Sequence, residues 1–573
     1  MTTHFFELPA EVIILIVCHL PLRDVVACKQ LCRQLRTLIE QSQLLQCHFR
    51  TMSSGVEDLF IPGIRSYEFL KSLELWEMAW RKFDIGDRFA RHRYHNVLWT
   101  VEHVVQNGHI AAMRLGDSSW HTTPGWSYAD ISRVQMQGDE IPQELTWADI
   151  QLDIGISPKG YVLDVNQDLV AVIFHRDAIW RRIEIQFLRF TTGKPHDLAS
   201  NAILELDLEC KSPADCEIAM GIMGSNLVLL ASYKTRRRLS SRHQEIYFVD
   251  WTRGYIHRVR RVHDGTYFPV ITFVSKDLIV LARKRDFSLE VCKIVEARDS
   301  TTFTLQTVCI LKLPSVHPRT RVRFQMRNRT PLAGHSSLPA LHSSKLPFRS
   351  SPMDAVLGFE INVRRAAPRS GSESRRLAFW VCHSTFCKYA AQAIKSSRAS
   401  PSSGKTRTGG MRGFASGLVN SISHLFTNSS VRQWHEWGPQ STRWLECSDD
   451  LRDRQTLSGT RCAIVHQGSL TLMDFNAGRL ANLRTQGIGM DSGLKAVVHP
   501  NVIDRGRCFL HDFTSRLPYC VSTRHGVKNR VLMDDEWILQ FECFCSQEEG
   551  LFGWEGYIDF HSIIPAEYSW SET

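Results

Sequence analysis

The chain has 573 residues, 43% of them apolar and 22% charged, and a formal net charge of +10. That length is too great for one small core and implies more than one domain, while the composition is that of ordinary globular protein. No apolar run reaches the roughly eighteen residues of a membrane span, and no basic segment precedes the first apolar stretch, so neither a membrane anchor nor a secretory leader is expected.

The sixteen cysteines have no regular spacing, which fits a reducing, intracellular setting, cytoplasmic or nuclear, rather than a disulfide framework.

The first element predicted is a short helix running to Leu20. Pro9 suits a first helical position, Glu11 complements the helix dipole in the first turn, and Pro21 ends the run. Val12 to Val17 is apolar on every face, so this helix must be covered all round. Some fifty residues are too few to cover it alone, which leaves the rest of the chain or a second protein. A second short helix follows, with apolar residues at Leu22, Val25, Val26, Cys28 and Leu31. A third helical segment carries Leu35, Leu38, Ile39, Leu44, Leu45 and Phe49.

The order Leu8-Pro9-x-Glu11, helix, Leu20-Pro21-Leu22-x-Asp24, Cys32-Arg33, Leu38-Ile39, Leu44 closely resembles an F-box over about residues 5–50. The resemblance implies docking on a Skp-family adaptor and, through it, a cullin–RING ubiquitin ligase of SCF type. The positions that carry over as adaptor-binding are Leu8, Pro9, Val12, Ile13, Ile16, Leu20, Leu22 and Val25. The chain's own role would then be that of a substrate receptor, with an unidentified protein as its target.

Residues 51–64, with Ser53-Ser54-Gly55 and Pro62-Gly63, read as a linker. Tyr67 to Phe83 reads as an amphipathic helix, with Phe69, Leu73, Trp76 and Trp80 at helical spacing. The stretch 51–92 is therefore assigned as linker and helical spacer.

From about residue 93 helical periodicity fades. Runs of β-branched and aromatic residues take over, as at Val97 to Val105, Ile110 to Leu115, Leu169 to Phe174 and Leu278 to Leu281. A repeat runs through this region: a strand opening Asp/Asn-Leu, a loop, then a strand ending in aromatic-x-x-Gly. Phe190-Thr-Thr-Gly193, Trp251-Thr-Arg-Gly254 and Phe475-Asn-Ala-Gly478 are its clearest endings, and each glycine suits a turn of positive φ. The unit resembles a propeller blade, without the regular Gly-His pair of WD-type blades and with irregular spacing.

The fold class expected is therefore α+β and multidomain. A three-helix F-box (1–50) and a spacer (51–92) precede a large all-β domain (93–573), a degenerate β-propeller. A large irregular sandwich is the alternative topology. The combination resembles the large F-box families of mushroom-type fungi.

Two insertions, near 330–352 with Ser, Pro, His and Arg and near 395–431 with Ser, Gly, Arg and Thr, read as disordered, and 366–376 as an exposed loop. The excess positive charge falls mostly on His317–Arg349 and Lys395–Arg412, as at Arg319, Arg321, Arg323, Arg327, Lys405 and Arg407, and so on loops rather than a folded face. Weak polyanion association, with the chain as a scaffold, is the alternative function. Nucleic acid is not the expected partner, because no aromatics interleave with these basic residues.

Catalytic and metal patterns are sparse. Ala399–Thr406 (Ala-Ser-Pro-Ser-Ser-Gly-Lys-Thr) touches a phosphate-loop pattern but lacks its first glycine and a leading strand. Cys382-His383 with Cys387, and Cys543 with Cys545, are not paired knuckles. No enzyme activity, cofactor or metal is expected. Within the β domain, Trp434, Trp437 and Trp444 form the candidate target-binding cluster, with a core role as the plainer reading.

Overall fold

The computed structural model describes residues 5–20, 22–83, 90–95, 102–106, 108–114, 124–131, 146–152, 158–175, 182–208, 216–234, 242–262, 270–296, 303–326, 346–365, 373–399, 430–447, 455–466, 468–486, 494–525, 530–548 and 551–562. Four helices open it: α1 (Ala10–Cys18), α2 (Leu22–Leu31), α3 (Arg33–Gln41) and α4 (Gln43–Ser54).

The third helical segment of the sequence is thus two helices. Ser42 breaks it with extended backbone, and its hydroxyl accepts from Leu45 N at 3.3 Å, capping α4. Pro9 also lies one step outside the position expected. It is the N-cap of α1, with ψ 145°, and α1 ends at Cys18, before Leu20.

Among the described residues, seven sheets of four or five strands follow, each an antiparallel meander at its core. They occupy residues 102–151, 160–207, 217–262, 270–312, 320–447, 455–525 and 530–562, and are called blades 1 to 7 here. Apolar clusters join them in order. Met113 and Trp126 of blade 1 pack on Val170 and Val172 of blade 2, and equivalent clusters link each later pair up to blades 6 and 7.

The seventh cluster closes the ring. Val105, Ile110 and Ala129 of blade 1 pack on Trp537, Leu539 and Phe560 of blade 7. First strands of successive blades approach one another, as Gly160–Asp164, Glu217–Met223 and Val270–Ser275 do, so they line the axis. The outermost strand of blade 7 is Ala90–His95, from the other end of the chain. This pairing covers an edge that the final hairpin would otherwise expose. The all-β domain is a β-propeller.

The sequence repeat corresponds to the second and third strands of a blade. The aromatic of each copy is buried, and its N–H donates to the first turn of the same blade: Phe190 to Asp168 O at 2.7 Å, Trp251 to Ser225 O at 3.2 Å, and Phe475 to Thr460 O at 3.0 Å. Gly193 and Gly254 have φ of 68° and 71°, as a left-handed turn requires. Gly478 does not follow them. It lies in the first turn of the Ala477–Gln486 helix, and a Cβ there would lie 2.1 Å from Ser53 O of α4. Glycine at this point serves close packing of α4 on blade 6.

Hydrogen bonds also tie the blades along one face. Gly108 N donates to Asp534 Oδ2 (3.1 Å), Gln167 Nε2 to Gly224 O (3.1 Å), and Asn226 Nδ2 to Lys276 O (3.0 Å).

Residues 51–64 do not form an extended linker. They finish α4, turn at Gly55 (φ 66°), and form the strand Val56–Asp58, which pairs with Phe348–Ser350. The segment 346–352, assigned to a disordered insertion, is therefore structured in its described part, with Leu346 and Phe348 buried. The sequence missed it because three residues are too short to show a period.

Helix α5 (Ser66–Lys82) matches expectation and buries Phe69, Leu73, Trp76 and Trp80 against Val465, Leu470 and Ile538 of blades 6 and 7. Likewise, residues 373–376 belong to the strand Glu373–Cys382, 395–399 to the helix His383–Ala399, and 430–431 to the strand Ser430–Arg432. The expected strand start at Val97, residues 327–345 and residues 400–429, with the phosphate-loop-like stretch after Ala399, fall outside the described residues. Arg321 and Arg323 stand exposed on the first strand of blade 5, Thr320–Met326. Part of the basic charge therefore does lie on a folded face.

Candidate functional site

The N-terminal helices hold a small core of their own: Ile13, Val17, Val25, Leu35, Ile39 and Leu45. Local caps set its geometry. Pro9 O accepts from Val12 N and Ile13 N at 3.0 and 3.2 Å, and Cys32 Sγ accepts from Leu35 N at 3.5 Å at the start of α3. Gln46 Nε2 donates to Ile39 O at 2.8 Å, pinning α4 to the end of α3.

The all-apolar α1 divides into two faces. Ile13 and Val17 turn inward, whereas Val12, Leu15 and Ile16, at the i, i+3, i+4 spacing of one face, are 40%, 57% and 40% exposed. Nearby, Phe5, Phe6 and Val26 are exposed as well. Nine of the nineteen exposed large apolar side chains among the described residues lie between Phe5 and Met52, so exposed apolar residues are concentrated in this unit.

The sequence-derived contact residues therefore separate. Val12, Ile16 and Pro9 are exposed. Leu8 and Leu20 are half-buried against the helical core. Ile13 and Val25 are 4% and 2% exposed and belong to that core, so they support the surface and do not form it. The F-box resemblance names them as adaptor-binding, and the apolar run itself gives no sign of which side the other helices take. The side chain of Leu22 is outside what is described. Leu15, three residues after Val12 on the same face and not among those positions, is exposed beside Val12 and Ile16.

The tryptophan cluster of the β domain is core. Trp444 is fully buried and stacks on Phe379 with centroids 4.4 Å apart, and Trp437 donates from Nε1 to Lys312 O at 2.8 Å. Trp434 meets both rings edge-on and lies over Gly438, where a Cβ would be 2.0 Å from its ring.

No group of three or more His, Cys, Asp or Glu side chains among the described residues is placed to hold a metal ion. His383 is buried, which pushes its imidazole down to about 4, and burial raises the Cys382 thiol to about 12. A thiol held protonated is a poor nucleophile.

The two units thus make a chain of one kind: a propeller headed by a small helical domain with an apolar outer face. Residues 5–46 match the family model of the F-box domain, so this chain joins an F-box to a β-propeller. The chain is similar to the crystal structure of the WD40 domain of SCAP from fission yeast at 8% identity, covering 84% of this chain and 100% of that one, with a TM-score of 0.28. It is similar to polysaccharide lyase Uly1 at 9% identity, covering 71% and 91%, with a TM-score of 0.24. It also resembles Hsv2 of Kluyvelomyces marxianus at 8% identity, covering 47% and 92%, with a TM-score of 0.15. No curated protein sequence matches the chain.

Proposed function

We propose that the chain is a substrate-receptor subunit of an SCF-type ubiquitin ligase. The observation that carries this reading is the exposed apolar face Val12, Leu15 and Ile16, standing on a self-contained helical core within an F-box domain. A Skp-family adaptor occupies that face and links the chain to a cullin. The interface is apolar, with helix side chains as its anchors.

The target protein binds a loop-bearing face or rim of the propeller. The chain does no chemistry itself. It works inside the cell by holding the target near the ligase's catalytic subunits, a proximity effect. Residues 1–50 serve the adaptor, 51–92 set the spacing, and 93–573 serve the target.

The strand pair Val56–Asp58 with Phe348–Ser350 and the packing of α5 support such positional work, because they fasten the F-box to the propeller. A second reading, polyanion association, draws on the exposed Arg319, Arg321 and Arg323. It ranks lower because it leaves the apolar face of α1 without a partner.

The test is capture of the full chain by a purified Skp-family adaptor, beside a Leu15→Asp/Ile16→Asp variant. Charging two exposed positions should leave the fold intact and reduce capture at least tenfold. Equal capture of both proteins would remove this face from the interface.

A further inference from the structure

The strands of blade 5 have two unlike ends. At one end sits the joint with the F-box: Ser351 N, just before the second strand (Val356–Arg365), donates to O of Gly55, the C-cap of α4, at 2.8 Å. The other end is basic. It gathers the start of the first strand (Thr320–Met326), the end of the second and the start of the third (Glu373–Cys382). At roughly 3.3 Å per residue, the second strand holds the two ends about 30 Å apart.

Arg319, Arg321 and Arg323 are exposed at the basic end. Arg321 and Arg323 are two residues apart and so share one face of the strand, while Val322 and Phe324 are buried on the other face, in the cluster shared with blade 4. The register sets Arg321 directly opposite Arg364 of the second strand, which is exposed as well. Like charges directly opposite one another destabilise a sheet, so stability does not account for this pairing.

A loop of blade 6 adds to the same end. His317 N donates to Cys508 O at 2.9 Å, Leu510 N to Ser315 O at 2.9 Å, and Arg365 Nη1 to Arg507 O at 2.7 Å, so the loop is laid along the start of blade 5 and brings the exposed Arg505 with it. The neighbouring carboxylates are engaged: Asp504 accepts from Gly506 N at 2.9 Å, Asp512 from Arg505 N at 2.8 Å, and Glu446 from Arg375 Nε at 2.9 Å. None of Arg319, Arg321, Arg323 and Arg505 forms an ion pair among the described residues.

Exposed guanidiniums without carboxylates of their own suit a ligand of repeated negative charge. Same-face positions on a strand recur about every 7 Å, as do alternate side chains of an extended peptide. The aromatic side chains of these segments, Phe324, Phe509 and Phe513, are buried, so none is presented for a nucleic-acid base to stack on.

We propose that the basic end of blade 5 is an interaction surface for an acidic, extended segment of a protein. On the substrate-receptor reading, on which this rests, that segment belongs to the target, held at the end of blade 5 away from the F-box.

The experiment is fluorescence anisotropy of a short labelled oligoglutamate peptide titrated with the full chain, beside an oligoserine peptide of equal length and a single-stranded oligothymidylate of equal charge. Saturable binding of oligoglutamate in preference to the other two is expected. Arg321→Glu/Arg323→Glu should weaken it about tenfold or more, and Arg505→Glu several-fold. These positions are exposed, and a glutamate opposite Arg364 relieves a like-charge contact, so the fold is kept. Lys388→Glu/Lys395→Glu, on the exposed side of the helix His383–Ala399, changes the net charge by the same amount and should leave binding within about twofold. No saturable binding, an equal loss in both double variants, or oligothymidylate bound as tightly as oligoglutamate would each overturn the proposal. Capture by a Skp-family adaptor is measured on the same proteins and should be unchanged by the arginine variants. A parent that binds oligoglutamate but is not captured would break the receptor reading alone, and a parent that is captured but binds no oligoglutamate would break this proposal alone.

Discussion

The F-box and the propeller use apolar residues in opposite ways. In the F-box, six fully buried side chains hold four helices together, and a comparable number stand exposed on the outside. In the propeller, seven clusters pass from blade to blade around a closed ring, and exposed large apolar residues are scattered singly. In a ring each sheet has a neighbour on both of its faces, so it can bury what it carries. A unit of some fifty residues has too little volume for its surface to do so, and the remainder stays exposed. The same residue types are therefore enclosed in one region and left on the surface in the other.

The contrast is tested most severely in the propeller. Trp444→Ala would leave a cavity between Phe379 and Phe513 and should cost about 3–5 kcal/mol, read as a lowered urea midpoint. A loss below about 1 kcal/mol would mean that this cluster is not core.

Next is the turn that joins blade 7 to blade 1. Burial and the charge of Asp535 push the Asp534 carboxyl up to about 6, although Gly108, Glu536 and Trp537 donate their N–H groups to it. With the folded value above the unfolded one, its contribution is complete below about pH 4 and disappears as pH rises through 6, up to about 3 kcal/mol in all. His383 and His561 are held down to about 4 and act in the reverse sense, losing stability as pH falls through that value. Only the difference between parent and Asp534→Asn isolates the carboxyl. That difference should move in favour of the variant between pH 4 and 7, and parallel curves would refute the assignment.

The smallest effect belongs to the F-box surface. Leu15→Ser should change stability by no more than about 0.5 kcal/mol, because its side chain is 57% exposed. A larger loss would show that the face of α1 is covered within the chain itself, and the contrast between the two regions would fail.

Much of this organisation was legible in the sequence. The spaced F-box positions marked the N-terminal unit, and the period of α5 was plain at Phe69, Leu73, Trp76 and Trp80. The aromatic-x-x-Gly endings revealed a blade at Phe190 and Trp251, because a left-handed turn after a buried aromatic restricts both positions chemically. The strand Phe348–Ser350 was not legible. It is held by its partner Val56–Asp58 almost three hundred positions earlier in the chain, and nothing local to three residues announces that.

What the sequence by itself determined was that the N-terminal segments and α5 are helical, that strands dominate from about residue 93, and that the first helix is apolar all round. Those follow from periodicity and turn chemistry, which act over a few residues. Tertiary structure alone decided that Ile13 faces inward while Leu15 faces out, and that Gly478 admits the backbone of Ser53 instead of making a turn. It also brought Arg461, Arg479 and Trp80 together from separate elements and closed seven blades through the strand Ala90–His95. Each of these depends on which surfaces meet across long separations in the chain. That choice is made by the packing of whole faces, not by the pattern within any one of them.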